Sequence, residues 1–575
     1  MTVLQWFIFF LIVQVVHFAG TWKLYEAAGR KRWEAAIPVY NAVVLMKIIN
    51  RPTWWTILLF VPIVNLIMFP VVWVETLRSF GKNSTADTLL GIFTFGFYIY
   101  YVNYTQTLNH IPDRSLMART KVGDTVSSLL FAIVVATLVH TYVMQPFTIP
   151  TSSLEKSLLV GDFLFVSKFH YGARTPMTAV ALPMVHDSVP LTPKLSDSIP
   201  FLDKRSYAKW PQLPSFRLPG FEDVERNDIV VFNWPVDTVV KFFDASTPRV
   251  WKPIDKKSNY VKRCVGIPGD SLSVREGFVF INGKELVLPE RAKPQYIYDA
   301  YSKKGVSLDL VRAAGSTEYD RTFEISQPTQ EQGEAMRKYL TGFEPLGNGM
   351  FRIKTDQNGI PDQILREFNI ALNEVWDYHT RVNLTMKGAE ELRAKKADID
   401  SLVRIILPKA KSGVTEMFPK NTTNWSLDNF GPIYVPQEGK TVALTLASLP
   451  FYKKIITEYE GNKLDVSGDQ IKVNGQVATS YTFKQNYYWM MGDNRHKSED
   501  SRYWGFVPEN HIVGKPVFIW MSLDGSASGL DKIRWERMFT TVGGDGEPYS
   551  YFKFFLIALG LYFVAGFFVK KKAKS

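Results

Sequence analysis

The chain is poor in the residues that many enzymes use for metal or thiol chemistry. Its 575 residues include one cysteine, Cys264, and eight histidines. A single cysteine excludes an internal disulfide, and the sequence shows no Cys/His spacing of a zinc site. It also lacks an HExxH helix, a phosphate-binding glycine loop and a dinucleotide-binding fingerprint. We therefore interpret Cys264 as a small core residue and predict neither a metal nor a cofactor.

Charge is absent from several long stretches, although 21% of all residues are charged. Hydrophobic residues make up 46% of the chain and the mean hydropathy is only -0.06, so apolar segments must flank a large polar part. A helix needs about 20 apolar residues to cross a bilayer. Five runs are candidates: Met1–Trp22, Trp54–Val74, Thr88–Pro112, Ser128–Pro146 and Phe554–Val569, the last extending back to Tyr549. The first lacks a basic start and a cleavage site, which favours an anchor over a removable signal.

The net charge of +12 could indicate a nucleic-acid partner. The basic clusters lie beside apolar runs, however, which favours membrane topology and no nucleic acid. Basic residues of short loops stay in the cytoplasm. This rule predicts five spans with an outer polar domain, and it leaves Arg78 and Lys82 outside as exceptions. The residues placed inside are Lys23, Arg30–Arg32, Arg114, Arg119, Lys121 and Lys570 to Lys574.

The patterns predict a multi-span α-helical membrane region and a mostly β extracytoplasmic domain carrying α/β insertions. The predicted divisions are 1–127 for the membrane region, 128–146 for an anchor, 147–548 for the outer domain, and 549–575 for a last span with a basic tail. Strands are indicated by Ile229–Phe232 and by two Asn-Gly hairpins, Phe278–Gly283 and Ile471–Gly475. Insertions are predicted at about 173–222, which is rich in proline, and at 286–481. Within the second, Pro361–His379 and Met386–Arg404 have helical patterns.

A short motif also recurs in the membrane region. Ile37–Asn41 and Val61–Asn65 both contain proline at the second position and asparagine at the fifth. Such an internal repeat could form a transporter-like site. Ionisable residues are nearly absent from these runs, which favours a packing role instead.

Two distant positions suggest nucleophilic chemistry without histidine. Ser153 lies just beyond an apolar run, and Lys262 lies in the apolar stretch Tyr260–Ile267. A serine hydroxyl needs a base, and lysine serves as one only when neutral, whereas its usual pKa is about 10.4. Burial lowers that pKa. Alternation would place Lys262 on the face of Tyr260 and Cys264. A surface lysine on an edge strand and a serine that caps a turn remain the alternatives.

Four strings in order resemble the sequence boxes of bacterial type I signal peptidases, also called leader peptidases. They cover a modest share of the chain, in the predicted outer domain. The strings are Gln145–Ser153 with Gly161–Phe163, Arg226–Phe232, Tyr260–Asp270, and Met490–Arg495 continuing through Ser498, Asp500–Arg502 and Trp504.

This resemblance implies a role for each matched residue. Ser153 would be the nucleophile and Lys262 the general base. The Ser153 N–H and the Thr151 hydroxyl would form the oxyanion hole, where the family usually has serine in place of Thr151. Ser498 would orient Lys262, and Gly492, Asp500 and Arg502 would support that side of the site. Arg263 would pair with Asp493. Shallow pockets for small side chains would be lined by Phe147, Ile149, Leu154, Leu158, Tyr260 and Val261. The family usually has methionine and proline where Leu154 and Lys156 stand, which affects the pockets more than the dyad.

The resemblance implies a membrane-bound serine endopeptidase that removes signal peptides from exported preproteins through an acyl-enzyme. Its partners would be preproteins with small-x-small cleavage sites, the lipid bilayer and the secretion machinery. It would be a multi-pass protein of the bacterial cytoplasmic (inner) membrane, with its catalytic domain on the outer (periplasmic) face. The alternatives are a Ser-His mechanism using His496 or His170, a self-cleaving repressor-type protease, a non-catalytic receptor or scaffold, and a channel or transporter in the membrane half.

Overall fold

The N-terminal part of the chain is helical. The computed structural model describes residues 2–118, 120–189, 205–239, 249–410, 415–525, 527 and 529–572, so Arg119, Lys574 and residues 190–204 of the proline-rich stretch lie outside the described residues. The first helices are α1 (Val3–Ala27), α2 (Tyr40–Ile48), α3 (Trp55–Leu58), α4 (Val64–Ser79), α5 (Thr85–Phe93), α6 (Tyr98–Thr105) and α7 (Lys121–Leu138). A π-helical turn, Val139–Val143, extends α7.

Two of the five predicted spans are wrong as continuous helices. The run Trp54–Val74 is divided between α3 and α4, because Pro62 and the positive φ of Ile63 (70°) turn the chain. The run Thr88–Pro112 is divided between α5 and α6 by Phe95 and Gly96, whose φ values are 53° and 82°. Among the described residues, the helices long and apolar enough to cross a membrane are Val3–Ala27 and Lys121–Val143; the apolar helix Phe552–Gly566 is shorter.

The repeated motif of the membrane region has the same backbone geometry in both copies. Val39 has φ 66° and ψ -49°, and Ile63 has φ 70° and ψ -49°. In each copy the next residue's N–H donates to the proline carbonyl two positions back, at 2.8 Å, which defines a γ-turn. Each turn directly precedes a helix, α2 or α4, so the motif acts as a helix start.

Three arginines contact the carboxylate of Glu75, near the end of α4. Arg51 Nε lies at 2.8 Å and Arg78 Nη1 at 3.6 Å, and Arg114 also contacts it. Arg78 and Arg114 therefore lie at the same end of α4. The prediction that they lie on opposite sides is wrong, because the residues before α4 reach towards the outer domain, where Ile63 packs with Ala181 and Tyr207, and α4 then returns.

The chain beyond α7 is largely β, as predicted, and its main sheet is antiparallel. The strand order is β1-β2-β23-β3-β4-β21-β22, with β24 paired to β23. The strands of this sheet are β1 (Met144–Thr148), β2 (Asp162–Ser167), β3 (Ile229–Asn233), β4 (Asn259–Gly266), β21 (Tyr487–Met491), β22 (Val507–Pro508), β23 (Ile512–Ser522) and β24 (Thr540–Thr541).

Smaller sheets surround the main sheet. Two contain the predicted Asn-Gly hairpins, in the orders β15-β5-β6-β7 and β17-β18-β19. Their strands are β5 (Ser271–Arg275), β6 (Phe278–Ile281), β7 (Lys284–Glu285), β15 (Phe430–Tyr434), β17 (Leu464–Ser467), β18 (Gln470–Val473) and β19 (Gln476–Val477). A further pair, β16 (Thr441–Ala443) with β20 (Ser480–Thr482), has one strand before and one strand after β17–β19 in the sequence.

Two further sheets lie in the second predicted insertion, in the orders β13-β8-β14 and β10-β11-β9-β12. Their strands are β8 (Gln295–Tyr301), β9 (Arg321–Ser326), β10 (Leu340–Gly347), β11 (Met350–Thr355), β12 (Asn373–Val375), β13 (His379–Thr385) and β14 (Ser401–Arg404). The remaining helices are α8 (Leu308–Ala313), α9 (Gln330–Met336), α10 (Asp362–Glu367), α11 (Met386–Arg393), α12 (Leu449–Lys454), α13 (Ser501–Trp504) and α14 (Phe552–Lys572).

Both helix predictions in this insertion are correct only in their first halves. The run Met386–Arg404 begins as α11 but ends as β14, whose Leu402 pairs with Ala300 of β8. The run Pro361–His379 begins as α10 and then contains β12. In both cases a strand partner distant in sequence overrides the local helical pattern.

Candidate active site

The strand β1 leads from the end of α7 directly to Ser153. Pro150 and Thr151 follow the strand, and a 3₁₀ turn, Ser152–Leu154, contains the serine. The N–H of Ile149 donates to Asp162 O at 2.9 Å, which holds the approach to the turn against β2. Ser153 is therefore presented by a short turn fixed at the edge of the main sheet.

Lys262 lies in the middle of β4, between β3 and β21. Its Nζ is 2.5 Å from Oγ of Ser153, within hydrogen-bond distance. Nζ also lies 5.3 Å from the centre of the Tyr260 ring, two residues away on the same strand. The structure thus brings together the two residues that the sequence singled out, although they are far apart in the chain.

The environment of Lys262 favours a neutral amine. The residue is 3% exposed, and Nζ has no carboxylate within ion-pair distance in the described ranges. Burial lowers the pKa of Lys262 to about 8, although the nearby charges of Asp500 and Glu499 oppose this shift. At pH 8 about half of the molecules would carry a neutral lysine beside the serine hydroxyl. That is the protonation state required of a general base.

Ser498 is close to the dyad but does not bond to it. Its hydroxyl is buried and has no hydrogen-bond partner among the residues described, so the expected bond to Lys262 is not formed here. Gly492 explains the close packing. A Cβ at Gly492 would lie 2.2 Å from Ser498 Oγ and 2.5 Å from Ser153 O, so only glycine fits between them.

Asp500 and Arg502 form a buried ion pair behind this glycine. Arg502 Nη2 is 2.7 Å from Asp500 Oδ2, and the same oxygen accepts the N–H of Gly492 at 3.1 Å. Burial alone would raise the pKa of Asp500, but the charge and hydrogen bonds of Arg502 hold that pKa below its usual value. Arg502 also donates to Arg495 O at 2.6 Å. The pair therefore fixes the loop that follows β21.

Arg263 and Asp493 form a second buried pair. Arg263 Nε and Nη2 lie 2.8 and 2.6 Å from the two carboxylate oxygens, a bidentate arrangement. Ser157, which follows the serine turn, donates to the same carboxylate at 2.6 Å. Lys262 and Arg263 are neighbours, yet only the arginine has a counter-ion.

The residues predicted to line substrate pockets differ in their access to solvent. Leu154 and Leu158 are each 1% exposed and, with Ile149, belong to the apolar core beneath the serine turn. Phe147 and Val261 pack against that core but keep part of their surface open. Tyr260 belongs to a different cluster, with its ring stacked 5.1 Å from that of Trp234. Of the predicted set, Phe147 and Val261 are therefore the best placed to touch a substrate.

The proposed oxyanion donors have no acceptor among the described residues. Neither the Ser153 N–H nor the Thr151 hydroxyl donates a hydrogen bond to another described residue. Both remain available for an incoming carbonyl oxygen.

Neither candidate histidine contacts Ser153. His496 Nε2 lies 2.9 Å from Asp428 Oδ2, and His170 Nδ1 lies 2.5 Å from Ser167 Oγ. Cys264 is fully buried, and burial raises the pKa of its thiol, which disfavours the thiolate. Within the described ranges, no group of three histidine, cysteine or acidic side chains is arranged to hold a metal ion.

The sequence did not reveal three polar residues, two that contact the serine turn and one that bonds to both of them. Asn494 donates its backbone N–H to Ser153 O and its side chain to Ser152 O, both at 3.1 Å. Glu318 accepts the Ser152 hydroxyl, and Asn383 donates its side-chain amide to Asn494 behind the turn. Asn494 lies within a matched string and could have been found there. Nothing in the sequence around Glu318 or Asn383 distinguishes them from surface polar residues.

The segments that contain the candidate site match a known protein family. Residues 122–334 and 438–521 match the family described as signal peptidase, peptidase S26. These segments make up more than half of the chain and contain Ser153, Lys262 and Asn494. The chain belongs to the signal peptidase family. It is therefore a serine peptidase, and this family's reaction is the removal of signal peptides.

The curated relatives of this signal peptidase agree with the family match. "Signal peptidase I" of Buchnera aphidicola subsp. Baizongia pistaciae is 22% identical over 403 residues, covering 70% of this chain and 78% of the relative. The protein of the same name from Buchnera aphidicola subsp. Schizaphis graminum is 21% identical over 438 residues, covering 74% and 84%. "Signal peptidase I" of Haemophilus influenzae is 45% identical over 69 residues, covering 12% and 20%.

The N-terminal part of the chain matches a second family. Residues 33–112, which contain both copies of the γ-turn motif, match a family of unknown function (DUF5684). The signal peptidase match leaves out 335–437, which is narrower than the insertion predicted at 286–481.

Proposed function

We propose that this signal peptidase cleaves exported preproteins with a Ser153/Lys262 dyad through an acyl-enzyme. The observation that carries the proposal is the 2.5 Å separation of Lys262 Nζ and Ser153 Oγ, at a buried lysine without a counter-ion. Burial lowers the pKa of Lys262 to about 8, so the amine can accept the serine proton near neutral pH.

The chemistry follows from these positions. As Ser153 Oγ bonds to the scissile carbonyl carbon, its proton passes to Lys262 Nζ. The negative charge on the carbonyl oxygen is stabilised by the Ser153 N–H and the Thr151 hydroxyl. Lys262 then gives its proton to the departing amine, which leaves the signal peptide esterified to Ser153. A water molecule, deprotonated by Lys262, breaks the ester and restores the enzyme.

We further propose that α1 and α7 anchor the protein in the bacterial cytoplasmic membrane, with the catalytic domain outside. Trp6, near the start of α1, donates its indole N–H to Gln212 O at 2.8 Å, while the end of α7 leads directly into β1. The two helices therefore meet the outer domain at opposite termini. Basic residues follow α1 and flank the start of α7, in agreement with a cytoplasmic location of those ends.

Membrane anchoring would also determine the partners. A preprotein held in the same bilayer, or delivered by the secretion machinery, meets the enzyme in two dimensions and at a raised effective concentration. Side chains beside the scissile bond would meet Phe147 and Val261, which are half-buried above a closed apolar core, and such a shallow contact favours small residues. This supports preproteins with small-x-small cleavage sites as substrates.

The test is preprotein cleavage by the purified, detergent-solubilised full chain and its Ser153→Ala and Lys262→Ala variants. Each substitution removes one half of the dyad, so we expect kcat to fall by about 10⁴-fold or more. Mass spectrometry of the product N-termini would identify the cleavage site. Ser467→Ala and Lys472→Ala, on the hairpin of β17 and β18, are matched controls that should keep full activity.

Two results would contradict the proposal. Near-normal activity of Lys262→Ala would show that another group is the base. A folded wild-type protein that cleaves no preprotein would favour a non-catalytic receptor or scaffold.

A further inference from the structure

The second insertion contributes a buried polar cluster that touches the serine turn. Its members are Gln295 of β8, Asn383 of β13 and Glu318, which precedes β9; all are buried, with Glu318 8% exposed. Gln295 is joined to the loop after β21 by two backbone bonds: its N–H donates to Asp493 O at 2.8 Å, and its carbonyl accepts from Arg495 N at 3.1 Å. The insertion is therefore bonded to the loop that faces the dyad.

Glu318 is the centre of this cluster. One carboxylate oxygen accepts the Ser152 hydroxyl at 2.5 Å. The other accepts the side-chain amides of Asn494 at 3.0 Å and Asn383 at 3.1 Å. Asn383 also donates to Asn494 Oδ1 at 2.9 Å, which leaves the Asn494 amide group facing Ser152. An ionised carboxylate is the side chain best able to accept from three donors at once.

These bonds hold the two peptide units on either side of Ser153. Asn494 donates its side-chain amide to Ser152 O, and its backbone N–H to Ser153 O, both at 3.1 Å. In a trans peptide the C=O and the following N–H point in opposite directions. Holding Ser152 O therefore fixes the direction of the Ser153 N–H, the proposed oxyanion donor. Glu318 holds this peptide from two sides, through the Ser152 hydroxyl and through Asn494.

We propose that Glu318 is a positioning residue that orients the Ser152–Ser153 peptide for oxyanion stabilisation. The assignment rests on the proposed dyad function. It gives the segment between β8 and β9 a role in the reaction itself, because the carboxylate that fixes the serine turn comes from outside the main sheet. Glu318 touches neither Ser153 Oγ nor Lys262 Nζ, so it acts through Ser152 and Asn494.

The kinetic test compares Glu318→Ala, Glu318→Gln and a control, Glu324→Gln, in the full detergent-solubilised chain. Glu324, on the neighbouring β9, pairs with Arg352 and has no contact with the serine turn. Misalignment of an oxyanion donor slows the chemical step without weakening substrate binding. We expect Glu318→Ala to lower kcat by roughly tenfold to a hundredfold, with KM changed less than twofold. Glu318→Gln, which keeps one acceptor oxygen for the two asparagines, should recover part of kcat, and Glu324→Gln should match the wild type.

A second measurement does not depend on cleavage. Hydrogen exchange of the backbone amides in residues 149–160 should be faster in Glu318→Ala than in the wild type or in Glu324→Gln. If the wild type cleaves no preprotein, the proposed function fails while this exchange still decides whether Glu318 holds the turn. Unchanged exchange would overturn the proposal. An unchanged kcat in Glu318→Ala would also overturn the proposal. So would changes in kcat and KM that follow a lowered unfolding temperature and that Glu318→Gln does not restore.

Discussion

Glu75 of the helical region and Lys262 of the catalytic domain are both buried charged side chains, but only Glu75 has ion-pair partners among the described residues. In the helical region Glu75 contacts Arg51, Arg78 and Arg114. In the catalytic domain Lys262 is buried with no carboxylate within ion-pair distance among the described residues. A buried charge is stable when paired, and an unpaired one shifts its pKa until it can become neutral. The paired charge therefore serves the fold, whereas the unpaired one is available for proton transfer.

Breaking the paired cluster should have the largest effect on stability. Glu75→Gln leaves Arg51 and Arg114 without their carboxylate, which should lower the free energy of unfolding by about 3 kcal/mol. Thermal unfolding in detergent, followed by tryptophan fluorescence, would measure the change. Glu26→Gln is the matched control: its partner Arg32 is 60% exposed, so solvent screens that pair and its loss should leave the unfolding temperature nearly unchanged. Equal unfolding temperatures for the two variants would contradict the paired role of Glu75.

The unpaired lysine should appear in the pH profile. In the proposed mechanism Lys262 acts as the neutral amine, and burial lowers its pKa to about 8, so kcat/KM should rise about tenfold per pH unit below 8 and level off above it. The charge of Glu499 raises the pKa of Lys262, so Glu499→Gln should move the midpoint to lower pH. Cleavage rates measured from pH 5 to 10 would show both effects. A flat profile across pH 8 would argue against a lysine base.

The smallest effect on activity is expected from a histidine that is already paired. His496 contacts Asp428 and not Ser153, so His496→Asn should change kcat by less than about threefold. The same preprotein assay measures it. A fall in kcat as large as that of Lys262→Ala would instead indicate that His496 is the base.

Local sequence signals predicted the parts of the fold that local chemistry determines. Asn282-Gly283 and Asn474-Gly475 adopt φ values of 51° and 83°, and of 52° and 82°, as a type I′ turn requires. In both hairpins the asparagine side chain accepts a backbone N–H at 2.9 Å, from Ser271 or from Lys463. These hairpins needed no information from the rest of the chain.

Long-range contacts explain most of what sequence reasoning missed. Residues 401–404 form a strand because the edge of β8 is free to pair with them, although their pattern is helical. The γ-turn at Ile63 reverses the chain inside an apolar run that looks long enough to cross a bilayer. Glu318 contacts Ser152 across 166 positions of sequence, and its surroundings contain no motif. The dyad itself was found because both of its residues lie in strings that resemble a known family.

The connection between α7 and Ser153 has a consequence for substrate choice. About ten residues separate Val143 from the serine, and half of them form β1, so the hydroxyl can lie no more than roughly 33 Å from the helix end. With α7 in the bilayer, as proposed, β1 would hold the Ser153 hydroxyl at one fixed height above the membrane surface. A preprotein would then be selected twice: by the size of the side chains beside the scissile bond, and by how far that bond stands above the lipid.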